Sequence, residues 1–214
     1  MIETLINGFK KFKTHNYGIK NSEIVKLAKY GQKPEFLMIS CSDSRVDPAI
    51  LFQSKLGQIF SIRNVANLIP PYSSKTDDNS VGAALEFGIL DLKIKNIIIL
   101  GHANCGGIAA LKNKLEKNSS NKIYLNKRPS LNSWIDAAVT TFKNLNSIYR
   151  TDMTNELIEK ESIKISINNL KTFPIIKELI NNNELNIYGW WYDMDNGKLF
   201  NYEKHTDTFV EVNI

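Results

Sequence analysis

Two short segments concentrate the side chains able to do chemistry in this chain. Cys41-Ser42-Asp43-Ser44-Arg45 and His102-Ala103-Asn104-Cys105 hold both cysteines, one of the three histidines and one of the four arginines. Two thiolates and an imidazole form a good zinc set, because soft sulfur and borderline nitrogen suit that ion in tetrahedral geometry. Three protein ligands leave the fourth corner free, which marks a catalytic rather than a structural site. Two inert buried thiols or a cysteine nucleophile are the other readings of the pair. A secreted disulfide framework is disfavoured, since a chain of this length would usually carry more than two cysteines.

Asp43 and Arg45 decide what a free corner would do. A carboxylate two residues from a ligand either binds the metal itself or accepts a hydrogen bond from metal-bound hydroxide. A bidentate Arg45 would hold the carboxylate ionised and turned away from direct ligation. Hydroxide that donates its proton to Asp43 aims its lone pair at a substrate, which is the geometry of metal-assisted hydration. Arginine is scarce here, 4 against 23 lysines, so each one points to a place where a planar fork matters.

The elements that must position these groups read as alternating strands and helices. Phe36 to Ser40 forms a strand apolar on both faces, ending at Cys41. Asp47-Pro48 reads as an N-cap and first helical residue, opening a short helix through Phe52. Ile59 to Ile62 is a second strand. Ser80 caps an amphipathic helix with Val81, Ala84, Leu85, Gly88 and Leu92 on one side. A third strand, Ile97 to Leu100, runs into Gly101-His102, and a helix from about Ile108 to Lys117 follows. Cys105 thus lies at or near a helix amino terminus, where the dipole favours thiolate. Helices over about Leu131 to Tyr149, Met153 to Leu170 and from Pro174 precede a strand from Leu185 to Tyr192. Asp195-Asn196-Gly197 is a hairpin signal leading into Leu199 to Tyr202. At the amino end, Leu5, Ile6, Phe9 and Phe12 share one helical face, and Gly31 closes a second helix that follows Ser22. Polar loops cover Pro70 to Asn79 and Asn118 to Ser130.

The fold expected is α/β, a mainly parallel central sheet with an antiparallel edge strand, flanked by helices, in one domain over residues 1–214. Functional groups in such sheets gather at the carboxyl ends of strands. Cys41 and Cys105, 64 residues apart in sequence, can therefore meet across neighbouring strands.

Composition narrows the classes further. With 43% hydrophobic residues the chain is neither disordered nor collagen-like. Net charge is +5, from 27 basic and 22 acidic residues. The lysines are scattered, with only a small cluster at Lys10, Lys11 and Lys13, whereas nucleic-acid binding needs a stripe interleaved with aromatics. A solvated surface is the reading. No apolar run approaches the roughly 20 residues that span a bilayer, and the amino end shows no signal-peptide apolar region. A cytoplasmic protein with no membrane or nucleic-acid partner is expected.

The chain resembles the β-class carbonic anhydrases, a family marked by Cys-Ser-Asp-Ser-Arg and, about sixty residues on, Gly-His-x-x-Cys-Gly-Gly. Arg63-Asn64-Val65-Ala66-Asn67, Gly82-Ala83-Ala84-Leu85-Glu86, and Tyr188-Gly189-Trp190 through Gly197-Lys198-Leu199 also match, so the likeness runs from about Asn7 to Tyr202. It implies reversible hydration of carbon dioxide to bicarbonate by zinc-bound hydroxide. Cys41, His102 and Cys105 would bind Zn2+, and Asp43 with Arg45 would form the gatekeeping dyad, Asp43 becoming a fourth ligand in a closed state. Gln32 and the Gly106 amide would donate to bicarbonate, and Phe60, Val65 and Phe87 would line the apolar pocket for carbon dioxide.

Phe87 departs from the tyrosine expected in many relatives, which alters the water network and leaves the zinc site intact. Met38 stands where a bicarbonate-inhibited branch carries tryptophan. With Gln32 present, the open-site branch is the reading. The resemblance also implies a homodimer or higher oligomer, with Gln32 and Phe87 reaching the neighbour's metal and residues 1–30 forming a helical arm on the partner. Rival readings are a carbonyl sulfide or carbon disulfide hydrolase of the same fold and a non-catalytic zinc or redox module.

Overall fold

A computed structural model describes residues 1–18, 22–73, 80–116, 127–145 and 153–213. The centre of the molecule is a six-stranded sheet in the order β2-β1-β3-β4-β5-β6. β1 (Phe36–Cys41), β2 (Ile59–Asn64), β3 (Asn96–His102) and β4 (Asn186–Asp193) run parallel, with β1 between β2 and β3. Leu37, Ile39, Ile97 and Ile99 are fully buried, and so is Leu100. That two-sided burial is why these strands read as unbroken apolar runs rather than as alternating ones.

The antiparallel edge is wider than the sequence suggested. β5 (Lys198–Glu203) pairs antiparallel with β4, and β6 (Thr208–Glu211) pairs antiparallel with β5. β6 is four residues of exposed and half-buried side chains, too short for its alternation to stand out. β3 and β2 also run two residues beyond the expected ends, and these extensions carry His102 and Asn64.

Helices cover both faces. They are α1 (Ile2–Tyr17), α2 (Glu23–Tyr30), α3 (Pro48–Leu51), α4 (Ser80–Glu86), α5 (Gly106–Leu115), α6 (Pro129–Leu145), α7 (Asn155–Leu170) and α8 (Pro174–Asn181). Asp47 caps α3, accepting hydrogen bonds from the Ala49 and Ile50 amides, with Pro48 in the first turn. Gly31 closes α2 at φ 85°, a left-handed conformation that costs glycine least. α7 lies close against the sheet because β3 and β4 present glycine beneath it. A Cβ at Gly101 or at Gly189 would come within 2.7 Å of the Ile163 side chain.

Where one continuous helix from Ser80 to Leu92 was expected, α4 passes into a π-helical turn over Phe87–Asp91. Leu92 N donates to Phe87 O and Ile94 N to Gly88 O, both at 3.1 Å. The wider turn buries Gly88 against Leu37 and leaves Phe87 47% exposed. α1 has no buried residue, and its Leu5 and Phe9 are exposed. Residues 74–79 and 118–126 of the two expected loops, and the expected helix end near Tyr149, lie outside the described residues. No helix among the described residues is long and apolar enough to cross a membrane.

Candidate metal centre

The carboxyl ends of β1 and β3 converge as the parallel topology requires. Cys41 is the last residue of β1, His102 the last of β3, and Cys105 the N-cap of α5. Their ligand atoms all lie within 4.8 Å of one another, and all three side chains are buried. The two sulfurs are 3.8 Å apart with no disulfide between them. A tetrahedral zinc with Zn–S of about 2.3 Å requires a sulfur separation of about 3.8 Å.

The imidazole is aimed as a ligand should be. His102 Nδ1 lies 2.8 Å from the Ala103 carbonyl oxygen, which only an Nδ1–H can satisfy, so Nε2 of the neutral ring carries the lone pair. Nε2 is buried and has no hydrogen-bond partner. An orphaned nitrogen beside two sulfurs costs free energy unless something else meets it, and a zinc ion fits. Cys41, His102 and Cys105 are the residues that would hold it.

The sulfurs share a proton. A hydrogen bond from Cys105 pulls the Cys41 thiol down to about 4; burial opposes this, while His102 and the Asp43 and Ala66 amides assist it. Cys105 is pushed well up, because it carries the shared proton toward Cys41 and is buried, although the Ile108 and Gly107 amides oppose the rise. Burial disfavours the charged His102 ring, but the nearby Cys41 sulfur and the Ala103 carbonyl favour it and raise its pKa on balance. Main-chain N–H groups thus face both sulfurs, an environment prepared for thiolates.

Asp43 stands at the edge of this cluster, gripped by Arg45. Arg45 Nε donates to Asp43 Oδ1 at 2.9 Å, Arg45 Nη2 to Oδ2 at 2.7 Å, and the Arg45 amide to Oδ1 at 2.9 Å. The side-chain bonds from Arg45 hold the carboxyl well below the usual carboxylate range. Arg63 braces the same turn from behind: Nε donates to Cys41 O at 3.1 Å, Nη2 to Asp43 O at 2.6 Å, and Nη1 to the Asp47 carboxylate at 2.6 Å. Both arginines use the planar fork that a lysine lacks.

The other expected site residues divide. Phe60 and Phe87 come together, ring centroids 6.0 Å apart. Val65 lies against α5, since a Cβ on Gly107 would sit 2.7 Å from its Cγ1. Gly106 opens α5 with no atom within 4 Å of a would-be Cβ. Gln32 is exposed in the segment between α2 and β1.

Sequence reasoning missed two supports. Glu159 on α7 is 2% exposed; its Oε1 accepts from the Cys105 amide at 3.1 Å and its Oε2 from Trp191 Nε1 at 3.2 Å. Burial raises its pKa, and the Cys105 amide opposes that rise. Asn104, left-handed at φ 57°, donates its side-chain amide to both Asp195 oxygens at 3.0 and 2.8 Å. The signal for Glu159 was faint: α7 buries Ile158, Ser162, Ile163, Ser166 and Asn169 around it, so that helix keeps little polar face.

The carbonic anhydrase family pattern matches residues 36–199, which contain every group described in this centre except Gln32. The chain belongs to the β-class carbonic anhydrases. Beta carbonic anhydrase 3 of Arabidopsis thaliana is 35% identical over 201 residues, covering 92% of this chain and 74% of that protein. The solved β-carbonic anhydrase CcaA is 32% identical, covers 99% of each chain and superposes with a TM-score of 0.85. A solved structure reported for two tetrameric β-carbonic anhydrases of Sordaria macrospora is 28% identical, with 94% of each chain covered and a TM-score of 0.69. Membership makes the protein a carbonic anhydrase, and carbon dioxide hydration is the reaction the family supports.

Proposed function

We propose that this carbonic anhydrase hydrates carbon dioxide at a zinc ion held by Cys41 Sγ, His102 Nε2 and Cys105 Sγ, in the open-site form of the family. The observation that carries the reading is the unpartnered, buried Nε2 beside two sulfurs at zinc-compatible spacing. Bound there, the ion supplies the Lewis acidity that turns water into a nucleophile near neutral pH. Two thiolate charges temper that acidity, which places the rise of activity above neutrality.

The chain's own residues do the rest. Asp43 Oδ1 already accepts two hydrogen bonds, whereas Oδ2 accepts one. Oδ2 is therefore the atom with a lone pair open to a hydrogen of the reacting water. Because Arg45 keeps the carboxylate ionised, Asp43 accepts and does not donate. Phe60, Val65 and Phe87 supply an apolar surface that admits carbon dioxide and excludes excess water. The Gly106 amide, at the start of a ten-residue helix, would donate to an oxyanion. Gln32 would be the further donor, reaching the metal of a neighbouring subunit, with α1 as an arm on that subunit in a dimer or larger assembly. The exposed apolar face of α1 supports this. Two thiols that must stay reduced to bind metal fit a reducing compartment such as the cytoplasm.

Stopped-flow hydration of carbon dioxide, with zinc measured on the same sample, tests the reading. One zinc per chain and a rate that climbs between about pH 6.5 and 8.5 are expected. A metal-free protein with full turnover, or a flat rate over that range, overturns it.

A further inference from the structure

The hairpin between β4 and β5 carries a carboxylate with no place in the reaction as derived so far. Asp195 lies at its tip, exposed, with its turn ordered by Asp193, whose Oδ1 accepts from the Asp195 and Asn196 amides at 3.1 and 3.2 Å. Both Asp195 oxygens face a single nitrogen, Asn104 Nδ2. The sequence distance between the two residues is 91 positions, so the contact joins the hairpin to the His102–Cys105 loop and to nothing nearer.

What that contact fixes is the peptide of Asn104. The residue sits in the left-handed region at φ 57°, which asparagine adopts more readily than other non-glycine residues because its short polar side chain bonds locally. Its carbonyl oxygen accepts from Arg45 Nη2 at 3.2 Å. The same Nη2 donates its other hydrogen to Asp43 Oδ2 at 2.7 Å. The guanidinium is thus suspended between a carboxylate and a main-chain carbonyl, and the carbonyl is set by Asp195.

We infer that Asp195 is a positioning residue for the Asp43–Arg45 dyad, acting through Asn104. Without its acceptor, Asn104 Nδ2 turns to solvent, the Asn104 peptide is free to reorient, and Arg45 keeps Asp43 as its only partner at Nη2. The Asp43 carboxylate is then freer to rotate away from the geometry in which Oδ2 meets the reacting water. This inference rests on the proposed roles of Asp43 and Arg45.

The test uses D195A, D195N and wild-type enzyme, all zinc-loaded, with R45K to assign the Arg45 signal. Removing one exposed hydrogen-bonded support is expected to lower kcat roughly five- to tenfold, with KM nearly unchanged. D195A should keep the zinc content and melting temperature of wild type, because Asp195 is exposed. D195N retains a side-chain oxygen for Asn104 Nδ2 and should restore most of kcat. A readout independent of activity is the Arg45 Nε–H signal in a 15N spectrum, one of only four such arginine signals in this chain. Its exchange with solvent should be faster in D195A than in wild type or D195N.

Three results overturn the inference: D195A with wild-type kcat and unchanged Arg45 exchange, a loss of kcat that follows a loss of zinc or of melting temperature, or D195N as impaired as D195A. If wild-type enzyme binds zinc but R45K retains full turnover, the dyad itself is at fault. The exchange measurement still reports whether Asp195 holds Arg45.

Discussion

Arg45 holds Asp43 by three hydrogen bonds, two from its guanidinium and one from its own amide, at 2.7 to 2.9 Å. Asn at position 43 cannot reproduce this, since its nitrogen would face a donor on Arg45. None of the three proposed zinc-ligating atoms changes. Asp43→Asn should therefore retain zinc and lose about 10²-fold in turnover, the scale of a misplaced reacting group. Zinc analysis and stopped-flow rates on one sample decide it, and full activity removes the dyad from the mechanism.

The same pairing fixes where Asp43 sits as pH changes. A carboxyl whose pKa is depressed in the folded state stays charged until pH falls through that lowered value, below the ordinary carboxylate range. Across neutrality Asp43 remains an anion bound to Arg45. A crystal structure of the zinc-loaded enzyme at pH 8 should show that pair intact. Asp43 coordinated to the ion there would contradict the open site.

Zinc affinity should depend on pH through Cys105. The hydrogen bond between the sulfurs lowers the Cys41 pKa and raises that of Cys105, so in the metal-free cluster Cys105 is the thiol that keeps its proton. Binding must expel the Cys105 proton, so affinity weakens about tenfold for each unit of acidification near neutrality, or more steeply if His102 also gives one up. Competition against a fluorescent chelator at pH 6, 7 and 8 measures the slope. An affinity independent of pH would exclude the shared proton.

The clustering of Cys41, His102 and Cys105, which could hold a metal, was legible because they are rare residue types at or just past the ends of apolar strands, and because a parallel sheet brings those ends to one rim. Arg45 and Arg63 stood out against a background of lysine. Glu159 did not, because in sequence a glutamate between Ile158 and Lys160 looks like any solvated helix position. Its role depends on which side of α7 meets the sheet, and Gly101 and Gly189 decide that from far away in the chain. The Asn104–Asp195 contact has no local signature either. The π-helical turn at Phe87 escaped for a different reason: the apolar spacing from Val81 to Leu85 suits an ordinary helix, and only the fit of Gly88 on Leu37 favours the wider turn.

Glu159 ties the main chain of Cys105, a proposed zinc ligand, to Trp191 on β4. Gln at this position has one acceptor oxygen for two donors, so either the Cys105 amide or the Trp191 indole is left unpaired in a buried place. Glu159→Gln should weaken zinc binding by roughly 10- to 100-fold, the usual cost of losing an outer partner of a ligand. Trp191→Phe removes one donor and leaves the Cys105 amide its acceptor, so its loss of zinc affinity should be smaller. Chelator competition on both variants checks the order, and a reversed order would rule out Glu159 as the support of Cys105.

Gly107 and Gly106 are neighbours with opposite constraints. A methyl group on Gly107 would lie 2.7 Å from Val65 Cγ1, 2.9 Å from Ala66 Cβ and 3.2 Å from Ala66 N. Val65 is 38% exposed and has room to turn, but Ala66 is fully buried at φ 66° and has none. The Val65–Asn67 turn must then move off α5, taking with it the Ala66 amide that faces the Cys41 sulfur. Gly107→Ala should destabilise the fold by about 1–3 kcal/mol, as overpacking does, and weaken zinc binding as well. Gly106→Ala meets no atom within 4 Å and should stay within about 0.5 kcal/mol of wild type. Urea unfolding of both variants measures the contrast. Equal stability of the pair would mean that the turn and the helix are not in the close contact on which the Cys41 environment depends.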